Sequence, residues 1–103
     1  MSDRIRLCAS SDLKPGSMRQ FLVRGTTAIA LYRIGDAFYA TDDTCTHAVA
    51  CLSEGELEGD VVVCPVHFGE FHVPTGKALG FPAVEDLRTY RVEQAGDDIF
   101  VRV

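Results

Sequence analysis

Apolar and polar residues alternate along this chain in short runs, and β-branched or aromatic side chains fill many of the apolar places. That period of two, interrupted every few residues by Gly, Pro, Asp or Asn-like turn formers, predicts strands rather than helices. Strands are expected at residues 5–8, 21–23, 27–34, 38–41, 61–64, 71–73, 87–93 and 99–103. Pro15-Gly16 and Arg24-Gly25 mark turns, and Gly35-Asp36 reads as a tight hairpin because Gly takes the positive φ such turns need. No window carries an apolar stripe at i, i+3, i+4 and i+7 long enough for a sizeable helix. The expected class is all-β, an antiparallel β-sandwich or barrel base. From 42 to about 82 the strand rhythm breaks into a stretch rich in Cys, His, Gly and Pro, read as a small subdomain inserted into that base.

Composition narrows the picture. At 103 residues and 11.3 kDa the chain, 1–103, is expected to be a single domain. No apolar run approaches the ~18 residues of a membrane-spanning helix. The opening Met1-Ser2-Asp3-Arg4 is not a secretory leader, so a soluble cytoplasmic protein is expected. Ten Lys and Arg against fifteen Asp and Glu give a net charge of −5, with the cations scattered singly. Nucleic-acid binding needs clustered cations on phosphates, so it is set aside. Four Cys in a reducing compartment point to metal or chemistry rather than to disulfides.

Two of the four sit in mixed pairs. The first is Cys45-Thr46-His47, the second Cys64-Pro65-Val66-His67, with sixteen residues between His47 and Cys64. Two thiolates and two imidazoles could hold a tetrahedral zinc in a structural interaction module. Classical fingers pair Cys with Cys and His with His, however, whereas each loop here offers one of each. Mixed loops suit a two-iron cluster in which one iron takes both Cys and the other both His.

These residues, with Glu54-Gly-Glu-Leu-Glu-Gly59, Gly69-Glu-Phe71, Thr75-Gly-Lys77 and the opening Asp12-Leu-Lys-Pro-Gly16, closely resemble the Rieske-type [2Fe–2S] ferredoxins of bacterial aromatic-ring-hydroxylating dioxygenase systems. The resemblance covers nearly the whole chain. It implies the Rieske fold, with Cys45 and Cys64 on the inner iron and His47 and His67 on the outer one. It implies a one-electron shuttle that takes electrons from an NADH-dependent, FAD-containing ferredoxin reductase. The acceptor would be a terminal oxygenase carrying a Rieske cluster and a mononuclear iron. A small subunit of a nitrite reductase is the alternative within the same fold. A monomer is expected, as suits a shuttle.

The pattern departs from relatives in places. Ala48 follows the first His where many relatives have Gly. Ala50 and Val66 stand where respiratory-complex Rieske proteins form a disulfide, and Gly69 where they place a Ser that donates to a sulfide. Two imidazoles in place of two thiolates leave the oxidised centre formally neutral, so Rieske potentials span ≈ −150 to +300 mV against ≈ −400 mV for plant-type ferredoxins. With both tuning devices missing, the low end is expected.

The remaining candidates read as structure. Cys8 is expected as a small buried hydrophobe, Cys51 as a packing residue, and His72 as an ordinary strand side chain. Glu54, Glu56, Glu58 and Asp60 read as a solvated acidic turn. Pro65, Phe68, Phe81 and Pro82 are expected to ring the ligands as an apolar docking patch. No nucleophile with its base and no paired carboxylates are evident, which fits a carrier rather than an enzyme. The purified, anaerobically reconstituted protein should be red-brown, contain iron and acid-labile sulfide, and titrate near −150 mV. A colourless zinc protein would refute this.

Overall fold

Residues 3–25, 27–46, 50–66, 68–80 and 85–103 are described by this computed structural model. Along them run β1 (Arg4–Ala9), β2 (Ser17–Val23), β3 (Thr27–Ile34), β4 (Ala37–Asp42), β5 (Glu56–Glu58), β6 (Val61–Val63), β7 (Glu70–His72), β8 (Lys77–Ala78), β9 (Thr89–Tyr90), β10 (Val92–Ala95) and β11 (Asp98–Arg102). They form three antiparallel sheets, ordered β1-β11-β10, β2-β3-β4-β9 and β5-β6-β7-β8. The all-β class expected from the alternation is therefore correct, and the third sheet is the piece set into the base. No helix among the described residues is long and apolar enough to cross a membrane.

Strand β3 organises the interior. Residues 29–32 are all fully buried, so this strand is covered on both faces. Because side chains alternate across a strand, Ile29 and Leu31 enter one core and Ala30 and Tyr32 another. The first core joins the two base sheets through Val23, Ala40, Ile99 and Val101. The second runs from β3 toward the small sheet and holds Leu52, Val62, Phe71 and Val73, with Cys45 and Cys64 among them. Cys8 belongs to the first core, at 5% exposure, as a buried small hydrophobe should.

The hairpin between β3 and β4 turns at Gly35, whose φ of 62° is open to Gly at little cost. Tyr32 is buried but keeps its hydroxyl paired with Thr41 Oγ1 at 2.9 Å, and Thr41 in turn donates to the Asp42 carbonyl. Burial, only partly offset by the Thr41 contact, drives the Tyr32 phenol well above its ordinary range.

Two expectations are corrected. Residues 87–93 are not one strand: β9 pairs with β4, whereas β10 pairs with β11, so the chain changes sheets around Arg91. Tyr90 and Val92 both pack on the base core, so the alternation continues through the change of partner and hides it. The acidic stretch is not wholly a turn, because Glu56–Glu58 pairs with β6 and sets Leu57 opposite Val62. One apolar residue among glutamates is too short a signal to mark a strand.

The burial pattern separates essential from incidental apolar residues. Leu31→Ala, at a fully buried position, should lower the unfolding free energy by ~2–5 kcal/mol in urea titrations. Leu22→Ala, at a position 64% exposed, should change it by no more than ~0.5 kcal/mol.

Candidate metal centre

Two hairpin loops deliver the thiols. The first leaves β4 with Asp43 N–H bonded to the Ala28 carbonyl at 3.0 Å, which ties its root to β3. Cys45 N–H then donates to the Ala50 carbonyl at 2.9 Å, Thr44 bridges Cys51, and Leu52 N–H returns to the Asp43 carbonyl at 2.7 Å. The second loop joins β6 to β7 and is closed by Cys64 N–H on the Gly69 carbonyl at 2.8 Å. In each loop a backbone bond across the loop thus fixes the cysteine, to Ala50 in the first and to Gly69 in the second.

Cys45 is 4% exposed and Cys64 fully buried, and the two thiols hydrogen-bond each other. The Val66 N–H donates to the Cys64 sulfur. Desolvation, reinforced by the neighbouring Cys45 thiol, pushes the Cys64 thiol up to about 11 even though the Val66 amide works the other way. Two adjacent, dry thiols, with Cys64 held against ionisation by its burial, suit a group that brings positive charge and accepts them as thiolates. The donor set therefore fits an iron–sulfur centre. His47 and His67, the other two expected ligands, lie outside the described residues, as do Ala48, Phe81 and Pro82.

Cys51 does not join the thiol pair. Its sulfur meets Gln20 Nε2 at 3.6 Å and the Asp43 carboxylate, and burial followed by Asp43 and Glu54 raises its thiol. His72 lies on β7 as expected, and its ring is held at both nitrogens: Nε2 meets Asp60 Oδ2 at 3.0 Å and Nδ1 meets Thr75 Oγ1 at 2.8 Å. It ties the β5–β6 turn to the β7–β8 turn, away from the cysteine loops.

The outer surface beside Cys64 is apolar with an acidic rim. A groove of about 330 Å³ is lined by Glu54, Gly55, Glu56, Val63, Cys64, Pro65 and Phe68. Phe68 is 73% exposed at φ 58°, a left-handed conformation costing a bulky residue roughly 1–2 kcal/mol. Leu79, which the sequence pattern did not single out, is 49% exposed and shares a smaller hollow with Phe68. Two further contacts went unforeseen. Thr46 Oγ1 donates to the Glu85 carbonyl at 2.8 Å, tying the first loop to the segment before β9. Asp43, fully buried, accepts from Gln20 and Ser53. The only hint of it in sequence is a carboxylate two places before a candidate ligand.

Comparison with known proteins identifies the family. The model of the Rieske [2Fe-2S] domain matches residues 3–91, and the chain belongs to that family. It is 45% identical over 97 residues to "Ferredoxin CarAc" of Metapseudomonas resinovorans, covering 94% of this chain and 91% of that one. It is 48% identical over 96 residues to the "Biphenyl 2,3-dioxygenase, ferredoxin component" of Rhodococcus jostii (strain RHA1), covering 93% and 89%. A solved chain from the complex of reduced oxygenase and oxidized ferredoxin in carbazole 1,9a-dioxygenase superposes with a TM-score of 0.91. That match has 45% identity and covers 95% of this chain and 91% of the other. A Rieske-type [2Fe–2S] cluster is thus the cofactor of this fold.

Gly55 tests how tightly the two loops are packed. A Cβ there would overlap the Val63 carbonyl oxygen and lie 3.1 Å from the Pro65 ring. Gly55→Ala should therefore cost ~1–3 kcal/mol of stability in thermal or urea unfolding, as overpacking does.

Proposed function

We propose that this chain is the ferredoxin component of an aromatic-ring dioxygenase system, a one-electron carrier in which Cys45 and Cys64 hold one iron and His47 and His67 the other. The observation that carries this reading is near-full-length identity of 45–48% to ferredoxin components, with about nine tenths of each relative covered. The cluster, when bound, supplies reversible uptake of a single electron at a centre with no coordination position for substrate. The chain's own part is mechanical and electrostatic. Leu52, Val62 and Phe71 keep water from the sulfurs, the Val66 amide donates to Cys64, and backbone bonds across each loop hold both cysteines.

Residues 1–103 form one ferredoxin domain in this reading, with 42–82 as its cluster-binding part. The donor is an NADH-dependent, FAD-containing ferredoxin reductase and the acceptor a terminal oxygenase; NADH as reductant puts the exchange in the cytoplasm. Support for the acceptor comes from a relative captured with its oxygenase. The protein works as a monomer, presenting Pro65 and Phe68 as the apolar centre of a small transient interface.

Charge supports that docking face. Nine of the fifteen carboxylates but only one of the ten Lys and Arg lie between Asp42 and Leu87. The cluster-bearing stretch is strongly anionic while the base strands are slightly cationic, which orients the carrier toward a basic partner surface.

The test is reconstitution with reductase, oxygenase and an aromatic substrate, reading product formation. Turnover should require this protein, and its transfer rate should fall as salt rises. His67→Ala should lose the cluster, whereas Cys51→Ser should keep it. Phe68→Ala should keep the cluster spectrum but raise the ferredoxin concentration for half-maximal rate by roughly fivefold or more, as loss of an interface anchor does. No turnover with any dioxygenase pair, or a rate indifferent to both salt and Phe68, would overturn the reading or its docking face respectively.

A further inference from the structure

Asp43 is the one charged side chain that is fully buried among the described residues. Its carboxylate accepts from Gln20 Nε2 at 2.6 Å, Ser53 N–H at 2.7 Å and Ser53 Oγ at 2.9 Å. The thiol of Cys51 is also in contact with it. All of these partners can donate, which suits an acceptor-only carboxylate. None of the ion pairs among the described residues involves it. A buried carboxylate with neutral donors only is costly to keep, and its hydrogen bonds stabilise the charge without cancelling it. The cost is met immediately beside the centre: two residues of even fully extended chain place the Asp43 and Cys45 backbones within about 7 Å of each other.

The partners also come from different elements. Gln20 lies on β2 of the base, and Ser53 on the turn that leaves the first loop. The main chain of Asp43 adds the bonds to Ala28 and Leu52. One residue therefore joins the entry of the loop, its exit and the base sheet. An asparagine there could keep its oxygen on the Ser53 N–H and donate to Ser53 Oγ and to a turned Gln20 amide oxygen, so a clamp alone does not require the charge. A fixed negative charge in a low-dielectric region does something an amide does not, because it opposes the arrival of an electron nearby.

We propose that Asp43 is a positioning residue that clamps the first cysteine loop and, through its buried charge, holds down the reduction potential of the centre bound by Cys45 and Cys64. The inference rests on the proposed cluster assignment. It is tested on the reconstituted holoprotein by redox potentiometry, followed by visible absorption and circular dichroism, with iron and sulfide content measured in parallel. Asp43→Asn should retain the cluster and favour reduction by at least tenfold, a rise of about 59 mV for one electron. Gln20→Lys, at an exposed position that reaches the same carboxylate, should also raise the midpoint with Asp43 intact. Ser53→Ala, which removes a neutral donor and keeps the charge, should lower thermal stability without raising the midpoint.

If Asp43→Asn is loaded and its midpoint moves by less than twofold in the reduction constant, the charge role is overturned and only a clamp remains. If Asp43→Asn fails to hold the cluster, Gln20→Lys decides: a rise supports the inference and no shift overturns it. A wild-type protein that binds neither iron nor sulfide overturns the cluster assignment itself, an outcome distinct from an unchanged potential in a loaded variant.

Discussion

Cys45 and Cys64 must be dry and adjacent at the same time, and much of the molecule is arranged around that demand. Burial makes the Cys64 thiol harder to ionise, and the Cys45 thiol beside it acts in the same direction. Such a pair is unfavourable as two thiolates in a dry core, and the cluster proposed for this site would offset both charges. Keeping water from the two sulfurs takes loops closed by their own hydrogen bonds. That is why each cysteine N–H is bonded across its own loop, to Ala50 in one case and Gly69 in the other.

The base supplies rigidity by dividing its interior. Strand β3 is shared by both cores, with Ile29 and Leu31 on one face and Ala30 and Tyr32 on the other. The core between the base sheets carries no candidate ligand, so its packing can hold the fold together independently of the centre. The second core passes under the loops and is continuous with Cys45 and Cys64. Any movement of β3 would be felt at both sulfurs together, and close packing makes that movement costly. Leu87 extends the same core, and its N–H reaches the Gly76 carbonyl at 2.7 Å, so the chain that returns to the base also braces the small sheet.

Much of this was legible in the sequence, for reasons that can be stated residue by residue. Thr27–Ile34 coincides with β3 because its centre, Ala28 to Tyr32, is an unbroken apolar run, the signal left by a strand buried on both faces. The two mixed Cys/His pairs announced the site because their spacing is rare and their chemistry narrow, and the structure places Cys45 and Cys64 together. What escaped notice depends on partners rather than on local pattern. The exchange of sheets near Arg91 leaves the alternation intact. Strands β5 and β8, three and two residues long, exist only because β6 and β7 offer them edges. The two ring contacts of His72 escaped because Asp60 and Thr75 become its neighbours only after the turns fold. Asp43 was hidden for the same reason, since Gln20 and Ser53 lie on opposite sides of it in the chain.

Negative charge then serves two ends according to where it lies. Glu54, Glu56 and Glu58 are exposed, so water and salt screen them and their influence on the energy of an electron inside the protein is small. In the proposed docking their effect is felt at longer range and before contact, in how often and in what orientation a basic partner arrives. Asp43 has no such screen. Its charge acts at short distance through packed protein, where the same sign that attracts a partner repels an added electron. On the proposed roles the fold separates encounter from energetics by burial: an exposed carboxylate bears chiefly on the approach, and the buried one chiefly on the potential.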